Sequence, residues 1–285
     1  MSTIQAYTTA ARPAATASNV GLTIFNTTTK DINVSDGTTW QVYNSNGSSY
    51  ILSGTTMSVN FNKTGNNTTN DWLQTDYQTT SNTGFTFSAW IKSSTTNSQR
   101  IIDNFTTAHQ LALRVASGNY VLNYYTGGIS NVLFNSASYS ASGVFDGNWR
   151  HIALTMSGTT AKIYEEGALK YTDTFTGTYA AIASNFRIGA NQNNSDTYGG
   201  LMDEVAFFEK ALTASEVSDQ YNNHVYSSSS CHFRMGDGAS DTDSSGAATA
   251  GEAVVTITDI SGNGYTATQP TAAKKPVYSS DTKPF

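Results

Sequence analysis

The sequence predicts an all-β chain, an antiparallel two-sheet sandwich preceded by a small N-terminal β-meander module. Three observations carry this. Apolar residues alternate with polar ones along most segments. Ser, Thr, Asn and Gly fill the surface-type positions that Lys and Glu take in helical proteins, and charged residues are only 13% of the 285. Turn signals recur about every 8 to 12 residues.

Residues 1–45 read as an arm and a small β module for docking or oligomerisation. The first 19 or so are small and polar and show no periodicity. "VGLTIFNTTTKDINVSDGTTWQVYN" then holds three short apolar runs, parted by Thr-Thr-Lys and by the tight-turn pair Asp36-Gly37. A three-stranded meander of that size buries too little to be stable alone, so it is expected to pack on its own main domain or on a neighbouring subunit. Residues 46–54, rich in Asn, Ser and Gly, read as a linker.

The main domain spans 55–226. "GFTFSAWIKSS" puts Phe85, Phe87, Ala89 and Ile91 on one face and Thr86, Ser88, Trp90 and Lys92 on the other. "HQLALRVASGNYVLNYYTGG" is a hairpin about Ser-Gly-Asn. "DGNWRHIALTMSG" starts a strand in which Ile152, Leu154 and Met156 alternate, and "TTAKIYEEGALKYTDTF" is a hairpin about Glu166-Gly167. "NFRIGANQ" and "GGLMDEVAFFEK" add two strands. A single helix is expected at "LTASEVSDQYNN", where Thr213 and Glu216 have capping-box spacing.

With 15 basic and 21 acidic residues the net charge is −6, and no basic cluster exceeds Lys274-Lys275. Nucleic acid is therefore not an expected partner, since phosphate binding needs a concentrated basic face. Cys231 is the only cysteine, which rules out an intrachain disulfide and a Cys-rich metal site. The N-terminus has no signal-peptide apolar region and the chain has no run of about 18 apolar residues, so neither secretion nor a membrane is expected. The sequons at Asn26 and Asn104 carry correspondingly little meaning.

The ordered set "FTFSAWIKSS", "DGNWRHIALTMSG", "AKIYEEGALK", "FRIGANQ" and "YGGLMDEVAFFEKALTASEVSDQY", over roughly 55–226, resembles the laminin-G-like branch of the concanavalin A-like lectin/glucanase superfamily. The resemblance implies a jelly-roll sandwich, of a kind that in many proteins binds sugars, other proteins or calcium. "ARPAATASNVGLTIFNTTTKDINVSDGTTWQVY" resembles a short module of tailed-phage fibre and virion proteins. The expectation is a virion structural protein, as capsid decoration, fibre or knob, with other virion proteins as partners, a homo-oligomer (a trimer by analogy to fibres) and host-surface glycans as ligands. In the tail, 227–285, "D-x-S-G-N-G" resembles a segment that usually opens a laminin-G-like unit, so this extension is expected to pack on the sandwich or on a neighbour.

His151 reads as a strand residue at the sandwich rim whose ring meets a backbone partner, because no carboxylate or nucleophile stands beside it in a recognisable pattern. Glucanases on this fold commonly present Glu-x-Asp-x-x-Glu along one strand, which this chain lacks. Asp203 and Glu204 are adjacent and expected on opposite faces, Glu165 and Glu166 fall at a turn, and no catalytic residue is assigned. The loops at 123–131 and 190–200 offer Tyr124, Tyr125, Asn194, Asp196 and Tyr198, types that stack on and hydrogen-bond sugars and that also make ordinary turns. "DGASDTDSSG" places Asp237, Asp241 and Asp243 in one loop; these are oxygen ligands for calcium, without the Glu that closes an EF-hand.

Overall fold

The computed structural model describes residues 5–7, 13, 14, 16, 18, 23–26, 31–35, 38–43, 49–51, 57–61, 71–104, 110–182, 184–191, 196–237 and 241–281. Asp36-Gly37, Asn194, the sequon positions Thr27, Thr28, Phe105 and Thr106, and residues 238–240 of the acidic loop lie outside them. The chain divides into two units, Met1–Thr56 and Met57–Phe285.

The first unit is a five-stranded sheet in chain order: β1 (Gln5–Tyr7), β2 (Thr23–Asn26), β3 (Asp31–Ser35), β4 (Trp40–Tyr43) and β5 (Ser49–Ile51). The expected meander is its centre, β2–β3–β4, paired antiparallel. Two expectations are corrected. The leading arm contributes β1, parallel to β2, and the supposed linker at 46–54 contributes β5, antiparallel to β4. The edges of a three-stranded meander present open backbone donors and acceptors, and Ser49-Tyr50-Ile51 has the aromatic and β-branched residues to pair with one of them.

In the second unit β6 (Ser58–Phe61), β7 (Leu73–Thr75), β8 (Phe85–Lys92), β9 (Gln99–Asn104), β10 (Gln110–Ala116), β11 (Asn119–Thr126) and β12 (Ile129–Leu133) come first. β13 (Arg150–Ser157), β14 (Thr160–Glu165), β15 (Ala168–Thr174), β16 (Arg187–Ile188), β17 (Gly200–Phe208) and helix α1 (Ala214–Asn223) follow. The tail adds β18 (Cys231–Phe233), β19 (Thr242–Asp243), β20 (Gly246–Ala247), β21 (Thr256–Thr258), β22 (Thr266–Thr268) and β23 (Val277–Ser279).

These strands make two antiparallel sheets, a jelly-roll sandwich of the class the sequence predicts. The ten-stranded sheet runs β12-β11-β10-β9-β16-β7-β22-β21-β19-β20, and the other β15-β14-β13-β8-β17-β6-β23, with β18 also on β17. Inward residues of both meet in one core, in which Phe186 lies 5.6 Å from Phe85 and 5.1 Å from Phe207, ring centre to ring centre. The tail is woven into both layers: β23 pairs with β6, β22 with β7, and β18 with β17.

The polar-out half of the alternation along β8 does not reach water. Thr86, Ser88 and Trp90 are all buried, because α1 and its flanks cover this face of the smaller sheet. Leu212, Val217 and Tyr226 pack there on Ala153, Tyr164, Ala206 and Phe208. The helix starts at the expected capping box: the Thr213 hydroxyl accepts from the Glu216 N–H, and the Glu216 carboxylate accepts from the Thr213 N–H. Gly200 opens β17 at φ +149°, where a Cβ would stand 2.2 Å from the Lys92 carbonyl oxygen, so only glycine lets β17 approach β8 there. Among the described residues no helix is long and apolar enough to cross a membrane.

Candidate functional site

The outward side of the ten-stranded sheet gathers polar and charged side chains, of which Arg100 and Asp103, with Ala112 and Val121 beside them, are buried. Its composition follows from strand parity. Along β11, Tyr120, Leu122 and Tyr124 point into the core, so Val121, Asn123 and Tyr125 point out. Leu113 and Ile102 pair inward across β10 and β9, so Ala112 opposes Asp103, and Arg114 opposes Arg100, on the outer side. Ile101 is the extra residue of a β-bulge between these two outer pairs. β16 brings Arg187 next to Asp103 on one side and next to Gln74 of β7 on the other.

Asp103 is the buried centre of this face, 1% exposed. Its Oδ2 lies 3.2 Å from Arg100 Nε, yet neither carboxylate oxygen accepts a hydrogen bond among the described residues. Burial pushes its carboxyl up to about 6, against the pull of Arg100 and Arg187 and with a push from Asp196. Arg100 reaches Asp196 at 3.4 Å, and Ser98 Oγ donates to the same carboxylate at 3.0 Å. Arg114 Nε donates to Asn123 Oδ1 at 3.3 Å. The Arg187 guanidinium lies 3.9 Å over the Trp72 ring while donating to Gln74 Oε1 and to the Asn191 carbonyl.

The raised Asp103 value has a stability consequence with a definite sign. The folded state holds this proton more tightly than the unfolded chain. The group therefore favours folding fully below pH 3.8 and loses that contribution as pH rises through about 6. The rise from 3.8 to about 6 corresponds to about 3 kcal/mol over the full titration. The unfolding free energy of Asp103→Asn minus that of the wild type should then grow by about 2 kcal/mol between pH 4 and pH 7. Urea titrations at the two pH values read this directly, and a pH-independent difference refutes the assignment.

The five sugar-site candidates separate. Tyr125 and Asp196 belong to this face. Tyr124 does not: its ring is buried against Phe175 and Tyr179, and its hydroxyl donates to the Ala180 carbonyl and accepts from the Ala180 N–H. Nor does Tyr198, which is wholly buried at 6.1 Å from Phe61 with its hydroxyl on the Leu201 carbonyl. Both were placed by residue type in an apparent loop, whereas the parity of β11 and the bridge Ala190↔Thr197 turn them inward. Asn194 is outside the described residues. Sequence reasoning missed Arg100, Asp103, Arg114 and Arg187, whose one sequence-level signal is period 2: Arg114 alternates with Leu113 and Val115.

The family model described as the concanavalin A-like lectin/glucanases superfamily matches residues 65–218. The chain belongs to this superfamily. A search of curated proteins finds no match. Among solved structures, a candidate carbohydrate-binding protein from Bacteroides ovatus ATCC 8483 is similar at 16% identity and TM-score 0.53, over 87% of this chain and 69% of that one. A heptameric SAP-like pentraxin from Limulus polyphemus is similar at 16% identity and TM-score 0.46, over 60% of this chain and 83% of the pentraxin. At 16% identity the likeness to the Bacteroides ovatus protein speaks for the fold alone.

In this concanavalin A-like domain the remaining candidates hold the scaffold. His151 is not at a rim. It is fully buried on β13, its ring 5.5 Å from Trp90 and 6.1 Å from Tyr221, while Glu166 accepts from its backbone N–H. Glu166 also takes Arg150 and the Tyr221 hydroxyl, and Glu165 takes Tyr120 and Lys170. Asp203 and Glu204 do not face opposite ways. A β-bulge lies between Asp203 and Ala206, Glu204 has φ +48°, and both carboxylates are buried; burial, then these two charges, raise the pKa of the Tyr226 hydroxyl on the helix-covered face. An inserted residue restarts the alternation, which a strict period of 2 does not anticipate. None of these four carboxylates is on the Asp103 face.

The three aspartates of the acidic segment likewise brace the scaffold. Asp237 accepts from the Met57 N–H and faces Arg234. Asp241 accepts from the Gly236 and Thr258 N–H groups, and Asp243 from those of Ser245 and Gly246. Among the described residues no three His, Cys, Asp or Glu side chains gather as a metal site.

Proposed function

We propose that this protein is a non-enzymatic structural component of a tailed-phage particle. Its concanavalin A-like domain binds host-surface saccharides on the outer face of the ten-stranded sheet. That face carries the proposal: guanidinium donors at Arg114 and Arg187, amides at Gln74 and Asn123, and the half-buried Tyr125 ring share one strand-built surface. Rigid strands present them, which suits a ligand recognised by many hydrogen bonds of fixed direction. The non-enzymatic part is supported by the scaffold roles of Glu165, Glu166, Asp203 and Glu204. The particle role is supported by the resemblance of the N-terminal string to fibre and virion modules, with the first unit as the docking element and a homotrimer as the assembly.

Two measurements test the reading. Purified full-length protein on a glycan array should retain a defined set of saccharides without turning any over. Antibody labelling of purified particles should place the chain on their exterior. Glycan binding without particle association would leave a free lectin-like module, and turnover of a bound polysaccharide would replace the binding role with a hydrolytic one.

A further inference from the structure

Three of the six arginines in the sequence, Arg100, Arg114 and Arg187, stand on this one face of a chain whose net charge is −6. Arg100 and Arg114 are direct cross-strand partners. Like charges placed opposite each other weaken a strand pair, so this pairing costs stability where an Arg–Glu pair would add to it. Arg114 has an amide oxygen as its hydrogen-bond partner and no carboxylate within 4.0 Å among the described residues. Beside it, Arg100 Nε faces Asp103 Oδ2 at 3.2 Å, while Arg100 Nη1 and Oδ1 of the 1%-exposed Asp103 have no hydrogen-bond partner among the described residues. Buried polar atoms are almost always hydrogen-bonded, so unspent donors and acceptors at one spot mark a place shaped for something other than stability.

Resting on the carbohydrate-binding reading above, we infer that this face selects carboxylate-bearing saccharides, with the Arg114 guanidinium as the group that grips the carboxylate. A guanidinium offers two parallel N–H donors that match the two oxygens of a carboxylate, a geometry an ammonium lacks. Asn123 holds Nε of Arg114 and thereby orients the fork. Tyr125 is two residues further along β11 on the same outward side, so its ring lies where the sugar body would extend. Asp103 sits between Arg100 and Arg187 as their buried counter-charge and positions them rather than touching the ligand.

The test is an array of neutral, sialylated, uronate-containing and sulfated glycans probed with full-length wild type and Arg114→Gln. The best ligand is then compared with its methyl ester by calorimetry. The bound set should be carboxylated, the free acid should bind about tenfold or more tighter than the ester, and Arg114→Gln should erase that preference. The unfolding midpoint of the variant should hold or rise, since the Arg100–Arg114 repulsion is gone. A neutral or purely sulfated bound set, or a preference that survives Arg114→Gln, overturns the inference while leaving carbohydrate binding intact. Failure to retain any glycan sinks both.

Discussion

A chain ending at Ser230 should not fold. It should show no cooperative calorimetric transition and no near-ultraviolet circular dichroism, whereas the full chain shows both. The deletion takes Cys231, Phe233, Met235, Val254, Ile257, Ala267 and Tyr278 out of the single core between the sheets. Truncating one large buried side chain typically costs about 2–5 kcal/mol, and a whole domain is stable by only about 5–15 kcal/mol. Removal of the five large ones, Phe233, Met235, Val254, Ile257 and Tyr278, costs about 10–25 kcal/mol, enough to use up that margin before any backbone pairing is counted. The pairings go too: β6 loses β23, β7 loses β22, and the Val205–Phe207 stretch of β17 loses β18. Asp281 also holds the Trp149 indole N–H and Lys92 from the tail. Ile257→Ala serves as the graded control. It should remain folded and lose about 2–5 kcal/mol in denaturant. A truncated chain that melts cooperatively near the full-length midpoint would show that the tail is an accessory.

The integration of the tail was legible only as an expectation that it packs somewhere, because its strands are two or three residues long and two of them, β22 and β23, pair with strands about two hundred positions away. Local patterns fared better where local physics decides the outcome. The capping box at Thr213 and Glu216, the hairpin turn at Glu166-Gly167 and the alternation of Phe85, Phe87 and Ala89 each follow from neighbours in sequence. The candidate site failed for the opposite reason. Arg100, Asp103, Arg114 and Arg187 come from three strands and converge through register, which no spacing encodes. The choice between Tyr124 and Tyr125 was in reach: carrying the alternation of Tyr120 and Leu122 two residues further already puts Tyr124 in the core. The bulge at Glu204 was not, since it requires a positive φ at a residue that carries a Cβ.

That bulge supports the second large prediction. Glu204→Ala should lower stability by about 3–5 kcal/mol, the usual result of removing one partner from a buried ion pair. Glu204 Oε2 meets His232 Nε2 at 2.5 Å, and Arg234 Nε lies 3.3 Å from Oε1, with all three side chains largely shielded from water. Burial alone drives the Arg234 guanidinium down, but Glu204, Asp237 and Asp203 outweigh it and hold the charge in place. Without Glu204 the buried cation keeps its desolvation penalty and loses its nearest carboxylate. Because His232 and Arg234 lie on and just beyond β18, the same carboxylate joins β17 to the start of the tail. A cycle of Glu204→Ala, Arg234→Met and the double variant separates the charge from the packing. If the lost ion pair dominates, the double variant should be more stable than Glu204→Ala alone, because it no longer buries a guanidinium that has lost its nearest carboxylate. Guanidinium chloride midpoints read all three. A Glu204→Ala variant within about 1 kcal/mol of wild type would mean that water reaches the cluster and screens it.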